Sequence, residues 1–147
     1  MIEAVSAQNL PEVLPLIRAY QTFYQVADIS DERNLAFFGQ FGENSPHGCQ
    51  FVYREQGEVV AFATVYVNFS STVAAKVMIM NDLFTMPEHR GKGIGRKLIA
   101  HCHAFAESQG ALRLEWVTAP DNQQAQALYD SFEVSRSQWL FYTYPIK

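Results

Sequence analysis

Arg90-Gly91-Lys92-Gly93-Ile94-Gly95 is the stretch of this sequence best equipped for chemistry. Glycines let backbone N–H groups approach a ligand closely and take left-handed φ at little cost. The stretch leaves a strand-like pattern and enters a helical one. The unpaired N–H groups of that helix start, and the positive end of its dipole, then aim at one point. Arg90, Lys92, Arg96 and Lys97 put four of the 11 basic residues into one short segment of a chain whose net charge is −4. Such a combination makes a phosphate or pyrophosphate cradle. The GxxxxGK(S/T) loop is missing. Two starts of GxGxxG fail at the third glycine, where Arg96 and Leu98 stand, so both familiar nucleotide loops are disfavoured.

Other reactive residue types carry weaker signals. Tyr129, by its own spacing, reads as a core tyrosine of an amphipathic helix. Asn122 opens that helix, as a cap or as a ligand contact. His101 and His103 stand two apart on a helix and point apart, so no metal pair is expected. Cys49 and Cys102 form no CxxC pair, and Cys102 falls on an apolar stripe. His89 lines the loop. Phe23 and Tyr24 read first as helix packing, and second as a wall of a ligand pocket.

The elements that must position these residues follow from periodicity. Leu10, Leu14, Ile17, Tyr20 and Tyr24 predict a helix over residues 9–24, with Asn9 and Glu12 as a capping box. Ser30-Asp31-Glu32 opens a second helix ending near Gly39. Strands are predicted over 50–54, 59–68, 75–86 and 112–118, with a hairpin turn at Glu55-Gln56-Gly57-Glu58. Helices are predicted from the glycine loop to residue 109, with Gly110 at C′, and over 120–132. Trp139 to Tyr144 reads as an aromatic final strand. The order predicts an α/β sandwich with a mixed sheet.

With 147 residues, one domain spanning 1–147 is expected. A hydrophobic content of 48% and a charged content of 18% argue against disorder and against a disulfide scaffold. No apolar run reaches the ~18 residues of a membrane span. No secretory signal is read, so a cytoplasmic setting is expected. The acidic balance argues against nucleic acid as a partner and suits a cationic one.

Arg90-x-x-Gly93-x-Gly95 matches the Gln/Arg-x-x-Gly-x-Gly/Ala loop of the GNAT N-acetyltransferases. Asp82 to Arg90 resembles that family's approach to the loop. Asn122 to Tyr129, with Ala125 and Leu128 between, resembles its tyrosine helix. The chain is similar to the family over most of its length, nearest to the small-molecule, diamine acetyltransferase-like branch. The resemblance implies an α/β fold with a mixed, mostly antiparallel sheet flanked by helices, and an acetyl-CoA loop between a central strand and the next helix. It implies that the backbone of Leu83, Phe84 and Thr85 pairs with the pantetheine arm. Arg90, Gly91, Lys92, Gly93, Ile94, Gly95 and Arg96 would hold the pyrophosphate. Asn122 would contact the coenzyme, and Tyr129 would act as catalytic acid. The implied reaction is direct attack of a small-molecule primary amine on acetyl-CoA, without a metal. Open alternatives are a protein N-terminal or lysine acetyltransferase, and a non-catalytic acyl-CoA sensor. A homodimer is left open.

Two positions depart from the family pattern. Asn81 stands where diamine relatives often carry a carboxylate. By strand alternation Asp82 is expected to face the other side, and Glu115 is a further candidate base. Glu133 stands where a glycine usually follows the tyrosine helix.

Overall fold

The computed structural model describes residues 1–147. They divide into two compact units, Met1–Val117 and Thr118–Lys147.

The first unit is a five-stranded sheet in sequential order, flanked by helices. Its elements are β1 (Ile2–Ala4), α1 (Leu10–Phe23), α2 (Asp31–Phe38), β2 (Gly48–Glu55), β3 (Glu58–Ser70), β4 (Ala75–Thr85), α3 (Ile94–Ser108) and β5 (Leu114–Glu115). β1 to β4 pair antiparallel, and β4 pairs with β5 in parallel. This is the expected mixed, mostly antiparallel α/β fold. The β2–β3 turn has φ of 51° at Gln56 and 81° at Gly57, the left-handed pair that the twist of a two-residue hairpin needs.

α1 buries Leu10, Val13, Leu16 and Ile17 against Val52, Val59, Phe62 and Phe84 of the sheet. The opposite face carries α3: the ring of Phe51, next to Val52 on its strand, meets His101 at 4.6 Å and Phe105 at 5.1 Å between centroids. Leu98, Ile99 and Cys102 of α3 are buried. A reciprocal amide pair, Gln21 with Asn34 at 2.9 Å both ways, ties α1 to α2.

The Ser30 hydroxyl caps α2, accepting from the Arg33 N–H at 3.1 Å. Ser30→Ala is expected to cost about 1 kcal/mol, a melting temperature lower by about 2–4 °C, read by thermal denaturation.

Several expectations need correction. Asn9 and Glu12 make no capping box. The Asn9 side chain instead takes the Ser6 N–H at 2.7 Å and donates to Ala4, while Glu12 bonds Arg54 at 2.8 Å. Phe23 and Tyr24 end α1 beyond its packed face and are exposed. β1 was not anticipated, since three residues show too little alternation. β5 spans only Leu114–Glu115 instead of 112–118.

In the second unit, α4 (Gln123–Asp130) forms as expected, with Asn122 Oδ1 accepting from the Ala125 N–H at 3.2 Å. Arg136 bonds Gln126 at 2.7 Å and Asp130 at 3.4 Å. The expected final strand over residues 139–144 does not form, and Trp139, Leu140, Phe141, Tyr142 and Tyr144 are exposed. Strand-favouring side chains make a strand only against a paired edge, and residues 139–144 pair with none.

Candidate active site

β4 delivers the chain to the glycine loop. On one side it pairs with β3 along its whole length. On the other, β5 covers only Met78 and Ile79. The edge from Asn81 to Thr85, including Leu83 and Phe84, therefore has no strand beside it on that side. An extended ligand with amide groups can add there as a strand would.

Beyond Thr85, a short 3₁₀ turn at Pro87–His89 redirects the chain into the loop. Gly91 and Gly93 both have φ of 80°, the left-handed region. A Cβ at either would meet nothing within 4 Å, so backbone geometry alone calls for glycine. Gly93 is the N-cap of α3, and no side chain caps the helix. The first N–H groups of α3 thus point out of its start with no helical carbonyl to receive them. Ile94 is buried and anchors the turn, and residues 90–93 are exposed.

The basic side chains of the loop are held to their surroundings. Arg90 donates through Nε to the Thr85 carbonyl at 2.8 Å and lies 5.5 Å from the Phe84 ring centre. Lys92 pairs with Glu55 at 3.1 Å. Lys92 and His89 hold the Glu55 carboxyl below the usual range, the Lys92 hydrogen bond most strongly. His89 Nδ1 sits 3.6 Å from the same carboxylate, buried and without a hydrogen bond. Lys97 reaches the Tyr53 hydroxyl at 3.4 Å. Glu55 and Tyr53 of β2 pre-position these cations near the cradle. That contribution of β2 has no signature in the loop motif.

The acetyltransferase (GNAT) family pattern matches residues 13–133. The chain belongs to this family. The uncharacterized N-acetyltransferase YhfO of Bacillus subtilis (strain 168) is 30% identical over 129 residues, 88% of this chain and 85% of the relative. A thialysine N-epsilon-acetyltransferase of Bos taurus is 28% identical over 139 residues, 88% of this chain and 80% of the relative. Three further curated relatives are matched over less than half of their own length. A crystal structure described as a probable acetyltransferase superposes with a TM-score of 0.85 at 25% identity, covering 100% of this chain and 98% of that one. This GNAT chain is an acyltransferase of the N-acetyltransferase type.

The other motif residues, Asn122 and Tyr129, lie in the second unit. Asn122 serves as the helix cap, and its Nδ2 donor is not used by the cap. Tyr129 is half-buried on α4. Glu115 on β5 bonds Arg113 at 2.8 Å.

A polar cluster on β4 was read differently from the sequence. The β3–β4 register shifts between Thr64 and Val65, whose partners are Asp82 and Met80. Asn81 is the extra residue of a β-bulge. Strand alternation therefore fails at this point, and Asn81 and Asp82 do not face opposite sides. The Asn81 Nδ2 donates to Asp82 Oδ1 at 2.9 Å, and the Tyr20 hydroxyl donates to the same oxygen at 2.8 Å. Burial, and then the Asp82 charge, push the Tyr20 phenol well above its ordinary pKa. Both cysteines are buried. Burial pushes each thiol up to about 12.

No helix is long and apolar enough to cross a membrane.

Proposed function

We propose that this chain transfers the acetyl group of acetyl-CoA to a primary amine of a small molecule, with residues 1–147 working as one acetyltransferase domain. The observation that carries the reading is the open edge of β4 running into a left-handed glycine loop and an uncapped helix start. The edge suits an extended arm with amide groups, and the loop and helix start suit a pyrophosphate. A coenzyme A thioester has both parts, in that order. In this reading the Leu83–Thr85 backbone pairs with the arm, the N–H groups of 91–96 hold the pyrophosphate, and Arg90, Lys92 and Arg96 add charge. Asn122 contacts the coenzyme through its remaining amide donor.

Direct attack of the amine fits the chemistry of the chain better than an acyl-enzyme. A thiol is a nucleophile only as thiolate, and both cysteines are held neutral in the core. In this reading a neutral amine would attack the thioester carbonyl as the C–S bond breaks. The departing sulfur would take its proton from the Tyr129 hydroxyl, and the proton shed by the nitrogen would return through water to the tyrosinate. The thialysine acetyltransferase among the relatives supports an amine acceptor on a small molecule.

A thiol-release screen with acetyl-CoA against a library of amines tests the reading. Release is expected with small alkyl amines above the rate of acetyl-CoA alone. Release with peptide N-termini or lysine peptides only would move the acceptor to proteins. Stabilisation by acetyl-CoA without release with any amine would make the chain a sensor.

A further inference from the structure

Glu55 ends β2 beside the glycine loop, and two nitrogen side chains meet on one of its oxygens. Lys92 Nζ donates to Oε1 at 3.1 Å, and His89 Nδ1 stands 3.6 Å from the same atom. Lys92 is bonded and His89 is not: the His89 Nδ1 is buried and makes no hydrogen bond. A buried ring nitrogen without a partner costs free energy in either tautomer. As a donor it goes unused, and as an acceptor it turns a lone pair toward a carboxylate. Glu55 could satisfy it, but lies about half an ångström too far.

The three side chains differ in their freedom to move. Lys92 is 49% exposed, whereas His89 and Glu55 are covered, at 20% and 29%. Lys92 can swing away while the other two stay in place. It stands between Gly91 and Gly93, the left-handed residues of the loop, so the cradle is within its own segment. Other charged groups nearby are engaged or face solvent. Arg90 bonds the Thr85 carbonyl, Lys97 of α3 reaches Tyr53, and Arg54 of β2 pairs with Glu3 and Glu12. Glu88 of the turn, Glu58 of β3 and Arg96 of α3 are exposed. Glu55 and Lys92 are thus the charges that His89 meets.

An ammonium cannot neutralise a carboxylate and a pyrophosphate in full at once. The Lys92 hydrogen bond is also what most strongly holds the Glu55 carboxyl below its usual range. Once Lys92 turns to an anion in the loop, Glu55 is an ionised group beside that anion and needs another cation. An imidazole is the side chain that gains charge between about pH 5 and 8. We propose that Glu55 and His89 are positioning residues for the cofactor: when coenzyme A draws Lys92 into the cradle, Glu55 exchanges Lys92 for a protonated His89. This rests on the reading of the chain as an acetyl-CoA-dependent acetyltransferase, and couples its cofactor site to pH. The Lys92–Glu55 pair breaks, the Lys92–phosphate and His89–Glu55 pairs form, and solvent supplies one proton. The bound state holds the extra proton, so this exchange favours binding more as pH falls through the range in which His89 titrates.

The test is calorimetric titration with coenzyme A in buffers of different ionisation enthalpy, which counts the protons taken up. Protons that coenzyme A itself gains or loses are common to wild type and variants and cancel in the difference. At about pH 6.5, where a free imidazole is half protonated, the wild type is expected to take up about half a proton more than Glu55→Gln. Glu55→Gln is expected to bind coenzyme A about threefold tighter than the wild type at about pH 8, because Lys92 is no longer held back by a part-exposed ion pair. His89→Gln is expected to bind about threefold more weakly at about pH 6 and equally at about pH 8. Lys92→Met has nothing left to exchange and is expected to lose affinity and the extra proton together. Lys92 is exposed, so that variant carries the count even if a Glu55 variant fails to fold. Equal proton counts in the wild type and Lys92→Met overturn the proposal. So does weaker binding by a folded Glu55→Gln at about pH 8, which would make Glu55 only a support for Lys92. A wild type that does not bind coenzyme A overturns the underlying acetyltransferase reading instead.

Discussion

In the Gly93→Asp variant, coenzyme A no longer raises the melting temperature. For the wild type, coenzyme A at ~100 times its dissociation constant is expected to add about 2.7 kcal/mol, or about 5–10 °C for a chain of this size. The variant separates binding from folding for structural reasons. A Cβ at Gly93 meets nothing within 4 Å, so no neighbour has to move. The φ of 80° lies in the left-handed region, which Asp tolerates better than most residues. Gly93 is also the N-cap of α3, where Asp is a favoured type. The new carboxylate stands at the start of α3 and repels the anion that a pyrophosphate presents there. The variant alone should melt within a few degrees of the wild type. A shift of wild-type size in the variant would remove this loop from the cofactor site.

The glycine loop and its flanks were legible in the sequence because everything that defines them is local. A strand, a 3₁₀ turn, two left-handed glycines and a helix start follow one another within a short segment. The hairpin at Gln56-Gly57 was legible for the same reason. Elements whose existence depends on a distant edge were less so. β1 is three residues long and exists because β2 offers it an edge. Residues 139–144 have strong strand-forming side chains but no paired edge, so the same reasoning overcalled them. β5 fell short of prediction because its ladder with β4 covers only two residue pairs.

The polar cluster at Asp82 was hidden for a different reason. Tyr20 and Asp82, which share a hydrogen bond, stand 62 positions apart, and no spacing links them. The parity rule that set Asn81 and Asp82 on opposite sides is sound for a regular strand. The bulge inserts one residue and cancels it, and a bulge leaves no reliable mark in a single sequence. Glu55 and Tyr53 are similar: they lie on β2, two strands away from β4, and hold Lys92 of the loop and Lys97 of α3. What the motif shows is the part of the candidate site that is built from backbone. What it omits is the set of side chains that sets charge.

Tyr129→Phe is expected to lower turnover ~10²-fold or more, the span of general acid catalysis by one side chain. The substitution keeps the ring on α4 and removes only the hydroxyl. Coenzyme A does not need that proton to bind, so its thermal shift should be preserved. The sign with pH follows from the role. An acid works only while protonated, so wild-type turnover must fall at high pH as the phenol ionises, and the variant must lack that alkaline limb. A tyrosine that merely packs α4 would instead change the melting temperature and leave the shape of the pH profile intact. Turnover is to be measured under conditions where a single-turnover burst shows that chemistry limits the rate. Turnover within about threefold of the wild type, with the alkaline limb retained, would return Tyr129 to a packing role and leave the thiolate to be protonated by solvent.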